Sequence, residues 1–579
     1  MPKDTRTTDN LMVTIGQHSD AGRKPSNQDF HGALVPDASA LALKGVALAI
    51  ADGISSSPVS GIASETAVKS LLTDYYCTSD AWTVKTAASR VISATNSWLH
   101  TQNRRARLED MDHGQVCTLS ALILKGQTAH IFHIGDSRIW RISGDSLEPL
   151  TTDHRVILSS AESYLGRALG VEAQVEIDYQ SIPVGVGDTF VLTTDGVHDH
   201  IEPSAITRGI RDATTLDQAA KDVVQTALSN GSEDNLTIQI VRVDRLPDAD
   251  GFNAVADAEK LPIPAFPNAG TVIDGLRILR QIHSNSRSHI YLASAPDGTK
   301  VALKIPSVDQ RGNPDYLRHF LMEEWIARRV SSAHVLKPGP APDARTGLYI
   351  LTEYVEGQTL RQWMTDHPKP TLDEVRDIVD QVIKGLRAFH RREMLHQDLR
   401  PENIMIDVDG TVKIIDFGSM RVAGVQETVP GAGDDAILGT LQYTAPEYFS
   451  GDVTSWRSDL FSLGVIVYEM LTGRLPYGTQ VSKVRRRADL RRLTYRQARD
   501  ETHPVPDWID ATLKRALHPD PLRRHDALSE FATALHIPEA SAVVGRHTPL
   551  VDRDPVRFWK TVAAVLAVLV VFLIAQLAG

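Results

Sequence analysis

The stretch LHQDLRPENIMIDVDGTVKIIDFG, from Leu395 to Gly418, constrains this chain more than any other. Two apolar runs, NIMID and VKIID, flank an Asp409-Gly410 pair, which is a hairpin signal. Folding that hairpin brings Asn403 and Asp416 side by side, as two magnesium ligands must be. Asp398 then sits at the mouth, free to accept a proton from a substrate hydroxyl. A plain hairpin with capping acids would not explain the motifs placed around it.

Those motifs follow in order. VALK ends at Lys304, matched to a phosphate-binding lysine. HFLMEEWIARRV is an amphipathic helix that offers Glu323 as ion-pair partner, with Glu324 as the alternative register. YILTEYVEG, with Glu353 and Val355, resembles the segment between kinase lobes whose backbone meets adenine. GTLQYTAPE ends at Glu447, SDLFSLGVIVYEMLTGRLPY carries Asp459 and DPLRR supplies Arg524. The block from about 271 to 537 resembles the Hanks-type Ser/Thr protein kinase family throughout. The resemblance implies a bilobal kinase fold that uses ATP and Mg²⁺. Lys304 and Glu323 would hold the nucleotide, Asn403 and Asp416 the metal, and Asp398 the substrate hydroxyl. Asp459 would brace the catalytic loop, and Arg524 would partner Glu447.

Three departures bear on activity. Gln397 replaces the Arg of His-Arg-Asp, which in the family pairs with a phosphorylated activation loop, so activity without that phosphorylation is expected. Arg400 replaces the usual Lys and keeps its charge beside the transferring phosphate. His283, Asn285 and Ser288 stand where the family carries three glycines over the phosphates. Ile282, Ile290, Tyr291 and Ala293 keep the apolar positions of a hairpin, which favours an active kinase with weakened ATP affinity. The alternative is a nucleotide-sensing pseudokinase.

The first 250 residues carry a different pattern. GVALAIADG runs into Asp52-Gly53, AHIFHIGDSRIWRI turns at Asp136, DTFVLTTDGVHD ends a strand at Asp195, and Asp234-Asn235 directly precedes a strand. Asp29 lies upstream in GRKPSNQDF. One Asp-Gly pair is usually a turn. Acids repeated at strand ends can converge at one sheet edge, where they repel and raise one another's pKa values. Cations must neutralise such a cluster, and all-oxygen ligation suits Mg²⁺ or Mn²⁺. Two ions about 3.5–4 Å apart can lower the pKa of a bridging water and aim it at phosphorus.

In order, R-K-P-S-N-Q-D, A-D-G, G-D-S-R, T-D-G-V-H-D and E-D-N resemble the metal-dependent protein phosphatase 2C family, from about 11 to 246. The family fold is a double β-sandwich flanked by helices. The resemblance implies that Asp52 bridges two metals, with the Gly53 carbonyl as a further ligand and Asp195 and Asp234 completing the site. Asp29 would hold a water of that site, and Asp136 a weaker third metal. Gln28 stands where the family usually has Glu. The phosphate-binding Arg falls on Lys24, which keeps the charge but not the bidentate fork. ISSSPVSG, after Asp52, lacks the family's more usual His-Gly.

With 579 residues, the chain has room for several domains. A net charge of −11 gives no global pointer to nucleic acid, and none is expected as partner. Two cysteines, Cys77 and Cys117, form no spaced motif. Proline-bearing residues 247–270 read as a linker and 538–560 as a juxtamembrane spacer. Residues 561–578 read as a transmembrane helix, apolar from Val562 to Ala575 and preceded by Arg553, Arg557 and Lys560. A buried C-terminal helix is the alternative. The basic run from Lys483 to Arg499 is either a solvated helix face or a contact for anionic lipid or an acidic substrate.

The expectation is an α+β chain, anchored in the inner membrane with its domains cytoplasmic. It would phosphorylate and dephosphorylate protein Ser/Thr, its own sites included, with Thr428 and Thr440 as candidates.

Overall fold

The computed structural model of the protein describes residues 11–106, 113–159, 162–247, 261–285, 287–310, 313–340, 345–427, 442–450, 454–478, 480–481, 484, 486–499, 505–538 and 559. The first block is two antiparallel five-stranded sheets. In spatial order, one is Met12–Asp20, Leu236–Arg245, Thr189–Thr193, Arg138–Ser143 and Ser146–Pro149. The other is Asp178–Pro183, Thr128–Ile134, Leu119–Lys125, Val46–Ala51 and Phe30–Leu34.

Strand Val46–Ala51 shows how sequence sets these layers. All six residues are apolar and buried. Successive side chains point to opposite faces. Val46, Leu48 and Ile50 therefore enter the core between the sheets, while Ala47, Ala49 and Ala51 face the helices. Alanine on that side leaves room for Ser60–Cys77 and Val84–Arg105 to lie close. Helices Pro203–Asp212 and Leu216–Ser229 cover the outer face of the other sheet. Each large aliphatic side chain so buried contributes about 1.5–3 kcal/mol.

The second block opens with a five-stranded sheet: Val272–Ile273, Leu276–Ser284, Ser288–Ser294, Lys300–Pro306 and Ile350–Glu353. Helix Pro314–Arg329 starts with proline in its first turn, and the Asn313 side chain accepts from the Tyr316 N–H. Larger helices follow. Leu372–His390 begins with a capping box made by Thr371 and Glu374. Trp456–Thr472 is buried nearly all round and ends at Gly473, whose φ of 64° suits glycine.

Three sequence expectations change or fall outside view. The linker does not reach residue 270. Ile263 is buried in the kinase-block core, the Pro262 carbonyl accepts from the Leu348 N–H at 2.9 Å, and Gly270 N–H donates to Ile278 at 2.8 Å. Residues 261–270 thus extend the second block's first sheet, anchored by the buried Ile263 and these two backbone hydrogen bonds. Over its described residues, 484 and 486–499, the basic run is not a long helix face: it holds a 3₁₀ turn, Arg487–Arg492, followed by irregular chain through Arg499. Thr428, Thr440 and 561–578 lie outside the described residues. Among the described residues, no helix is long and apolar enough to cross a membrane.

Candidate active sites

In the second block, strand Lys300–Pro306 and helix Pro314–Arg329 bring Lys304 Nζ to 2.6 Å from Glu323 Oε2. Glu324, the alternative partner, faces elsewhere and pairs with Arg328 and Arg345 at 2.6 and 2.9 Å. Lys304 Nζ also lies 3.6 Å from Asp416 Oδ1. Burial pulls the Lys304 pKa down, but Asp416 and Glu323 outweigh it and hold the ammonium above its usual value. The Lys304 charge in turn holds the Asp416 carboxyl below its ordinary range.

Asp416 adopts a left-handed φ of 64°, uncommon for a non-glycine residue. That turn follows strand Val412–Ile414, which pairs with Ile404–Asp407. The Ile415 N–H reaches the Asn403 carbonyl at 2.8 Å, which ties the two candidate metal ligands together. Asn403 Nδ2 donates to the Asp398 carbonyl at 2.8 Å and to its Oδ2 at 3.1 Å. Arg400 Nε stands 3.9 Å from Asp398 Oδ2. Asp459 accepts from the backbone N–H groups of His396 and Gln397 at 3.0 and 3.1 Å, which fixes the loop before Asp398.

The Glu353 carboxylate is engaged by Lys413 Nζ at 2.7 Å and Lys337 N–H at 2.8 Å. Contact with adenine would fall to the main chain there and at the buried Val355. The glycine-free hairpin closes by another route. Asn285 Oδ1 accepts from the N–H groups of Arg287 and Ser288 at 2.9 and 2.8 Å. The asparagine side chain thus shapes the turn by hydrogen bonding. Tyr316 Oη donates to the Arg287 carbonyl at 2.8 Å and ties the tip to the helix that carries Glu323.

In the first block the acids do gather at one edge of the sandwich. Burial raises Asp52 well above the carboxylate range, and the charges of Asp29, Asp195, Asp136 and Asp234 add to it. Burial, with Asp136 and Asp234, lifts Asp195 to about 7. Burial also lifts Asp29 to about 6, although Asp29 Oδ2 accepts from Thr237 and Thr194 at 2.7 and 2.9 Å. Asp29 Oδ1 is buried with no hydrogen-bond partner. Gly53 cannot carry a side chain, since a Cβ would lie 2.8 Å from Ser60.

Two cations occupy this acidic edge. Arg155 donates to Asp136 at 2.8 Å and Asp195 at 2.9 Å. Lys24 Nζ pairs with Asp234 at 2.6 Å, so the candidate phosphate ligand is engaged by a candidate metal ligand. Among the described residues, no three His, Cys, Asp or Glu groups converge tightly enough to hold an ion as placed. The chemistry of the set still fits hard cations: the donors are all oxygens, mutually repelling, and one buried carboxylate oxygen is unpartnered. Gln28 Nε2 donates to the Ser57 carbonyl at 2.6 Å, a bond that a carboxylate would not make.

Sequence reasoning missed Arg155 and the supporting Thr194, Thr237 and Asn235. Asn235 Oδ1 accepts from the Gln28 N–H at 2.9 Å, and its Nδ2 donates to Ala21 and Ser26 carbonyls. Asn235 was visible in E-D-N. Nothing in the sequence around Arg155 marks it.

Comparison with known proteins divides the chain at the same place. Residues 17–238 match the protein phosphatase 2C family and residues 277–534 the protein kinase domain family. The serine/threonine-protein kinase PrkC of Bacillus subtilis is 27% identical over 260 residues, 44% of this chain and 39% of that protein. The serine/threonine-protein kinase PknL of Mycobacterium bovis is 37% identical over 179 residues, 31% of this chain and 44% of that one. The chain thus spans about two fifths of the length of the curated relatives it matches. The S. agalactiae serine/threonine phosphatase structure is 24% identical, with a TM-score of 0.36, over 40% of this chain and 100% of that one. The chain joins a protein phosphatase 2C-like domain to a Hanks-type Ser/Thr protein kinase domain.

Proposed function

We propose that the chain is a bifunctional signalling enzyme that adds phosphate to protein Ser/Thr from Mg-ATP and removes it by hydrolysis. The observation that carries the kinase half is the Lys304 ammonium, held between Glu323 and Asp416 at 2.6 and 3.6 Å. Lys304 would orient the ATP phosphates, and Asn403 and Asp416 would hold magnesium. Asp398, steadied by Asn403, takes the substrate hydroxyl proton, and Arg400 offsets charge on the moving phosphoryl group.

The buried carboxylate edge supports the phosphatase half. Asp52, the Gly53 carbonyl, Asp195 and Asp234 would hold two Mn²⁺ or Mg²⁺ ions, with Asp29 and Asp136 flanking them. When bound, the ions supply a nucleophilic water at neutral pH and charge for the phosphate oxygens. Asp29, anchored by Thr194 and Thr237, would orient that water. Lys24 must release Asp234 to meet the substrate phosphate. Apolar residues 561–578 support anchoring in the inner membrane with both domains on the cytoplasmic side. Co-sedimentation with membranes after an alkaline wash tests this.

The closing test of activity is labelling from ATP by the full chain carrying Asp195→Asn, with Asp416→Asn added as control. Label that needs Asp416, together with manganese-dependent turnover of p-nitrophenyl phosphate by the unmutated chain, is the expected result. ATP binding without transfer would identify the second reading, a phosphatase with a nucleotide-sensing pseudokinase. The side-chain-bearing hairpin tip at His283 and Asn285 favours that reading.

A further inference from the structure

Lys125 ends strand Leu119–Lys125 of the phosphatase domain, and its side chain is only 1% exposed. Its acceptors are not in that domain. Lys125 Nζ donates to the Gly424 carbonyl at 2.6 Å and to Glu427 Oε2 at 3.2 Å, both in the kinase domain. A lysine is rarely buried without partners. The kinase domain therefore completes the environment of this side chain.

The contact continues around it. The Glu427 carboxylate accepts from the Val84 N–H at 2.9 Å, at the start of helix Val84–Arg105, where negative charge is favoured. Glu393, in a left-handed φ of 55°, accepts from Thr83 N–H at 2.9 Å and Thr86 Oγ1 at 2.6 Å. Gly424 N–H donates to the Ala81 carbonyl at 2.9 Å. A Cβ on Gly424 would sit 2.5 Å from the Trp82 carbonyl oxygen, so only glycine fits. Leu43 and Ala81 join the kinase hydrophobic core.

The places touched on the kinase domain adjoin the elements that carry its candidate site. Residues 423–427 follow Asp416-Phe417-Gly418 by a few positions. Arg329, which donates to Asp80 at 3.1 Å, ends the helix that carries Glu323. Gln397 offers the segment beyond Asp416 no charge to pair with. We propose that the phosphatase domain is a built-in clamp on the kinase: through Lys125, Val84 and Asp80 it holds the segment after Asp416 and the Glu323 helix in the arrangement that phosphate transfer needs. In this role Lys125, Glu427 and Gly424 are positioning residues, and they lie outside both active sites. The activity consequence rests on the kinase reading above; the docking itself does not.

The test uses the full chain carrying Asp195→Asn, with Gly424→Val, Lys125→Met and Lys125→Arg each introduced. Hydrogen exchange at the amides of Thr83 and Val84, which donate to Glu393 and Glu427 across the contact, reads the docking directly. In the parent these amides are expected to be protected, and Gly424→Val to speed their exchange about tenfold or more. The same variant and Lys125→Met should lower kinase kcat with little change in KM for ATP, while Lys125→Arg retains most of it. In chains with Asp195 intact, Gly424→Val and Lys125→Met should leave p-nitrophenyl phosphate turnover unchanged, which shows that the phosphatase domain stays folded. Equal exchange in parent and Gly424→Val overturns the clamp. Faster exchange with kcat unchanged overturns its role in transfer. If the parent transfers no phosphate, the kinase reading fails by itself and the exchange ratio still decides the docking.

Discussion

The Glu447 carboxylate and the Arg524 guanidinium meet through two parallel 2.7 Å hydrogen bonds, with both side chains 1% exposed or less. Ser458 Oγ adds a third bond to Glu447, and three backbone carbonyls, those of Arg457, His518 and Pro519, accept from Arg524. Arg524→Met would leave a buried carboxylate without its partner. The expected loss is roughly 3–5 kcal/mol for the kinase-domain transition in urea. A loss below about 1 kcal/mol would mean that the pair behaves like a surface contact.

Lys304→Met and Asp416→Asn should separate the two proposed activities. Each should reduce phosphate transfer by at least about a hundredfold, since each removes a fixed charge at the reacting phosphates. Manganese-dependent phosphatase turnover should be unaffected, and parallel loss of both activities would contradict two independent sites.

Metal binding to the phosphatase domain should strengthen with pH. Asp29 and Asp195, held at about 6 and about 7, keep protons that the unfolded chain has already released. Their contribution to the stability of the metal-free protein is present below the ordinary carboxylate pKa and is lost as pH rises through about 6 to 7. Divalent ions compete with those protons. The rise in Tm on adding Mn²⁺ should be small at about pH 5.5 and larger at about pH 8. Equal shifts at both pH values would refute this.

The hairpin turn rests on Asn285. Asn285→Ala removes the acceptor of two backbone N–H groups while leaving Lys304, Asp398 and Asp416 in place. KM for ATP should rise severalfold with kcat nearly unchanged. A fall in kcat at constant KM would instead place the hairpin in the transfer step.

Gln397 gives the catalytic loop no cation for a phosphorylated segment, and Asp459 already fixes the loop by two backbone hydrogen bonds. Treating the Asp195→Asn chain with an added phosphatase should leave its kinase activity intact. Complete loss of activity on treatment would show that a phosphosite controls it.

The sequence by itself determined the two folds and supplied most of the candidate site residues. The unbroken apolar run VALAIA marks a strand buried on both faces, and the acids that end such strands mark an edge. The spacing of Asp398, Asn403 and Asp416 defines a hairpin with its polar ends together. These signals are local, because strand periodicity and turn chemistry act over a few residues. The sequence left open whether Glu323 or Glu324 meets Lys304, and a helix rotation of one residue decides that only when the helix packs. Arg155, on a strand far from the acids in sequence, and Lys125, buried against another domain, carried no local mark. Their partners lie 19 to 40 residues away for Arg155 and about 300 for Lys125. Only tertiary packing brings such charges together, since removing a charge from water is tolerated where distant groups supply its hydrogen bonds.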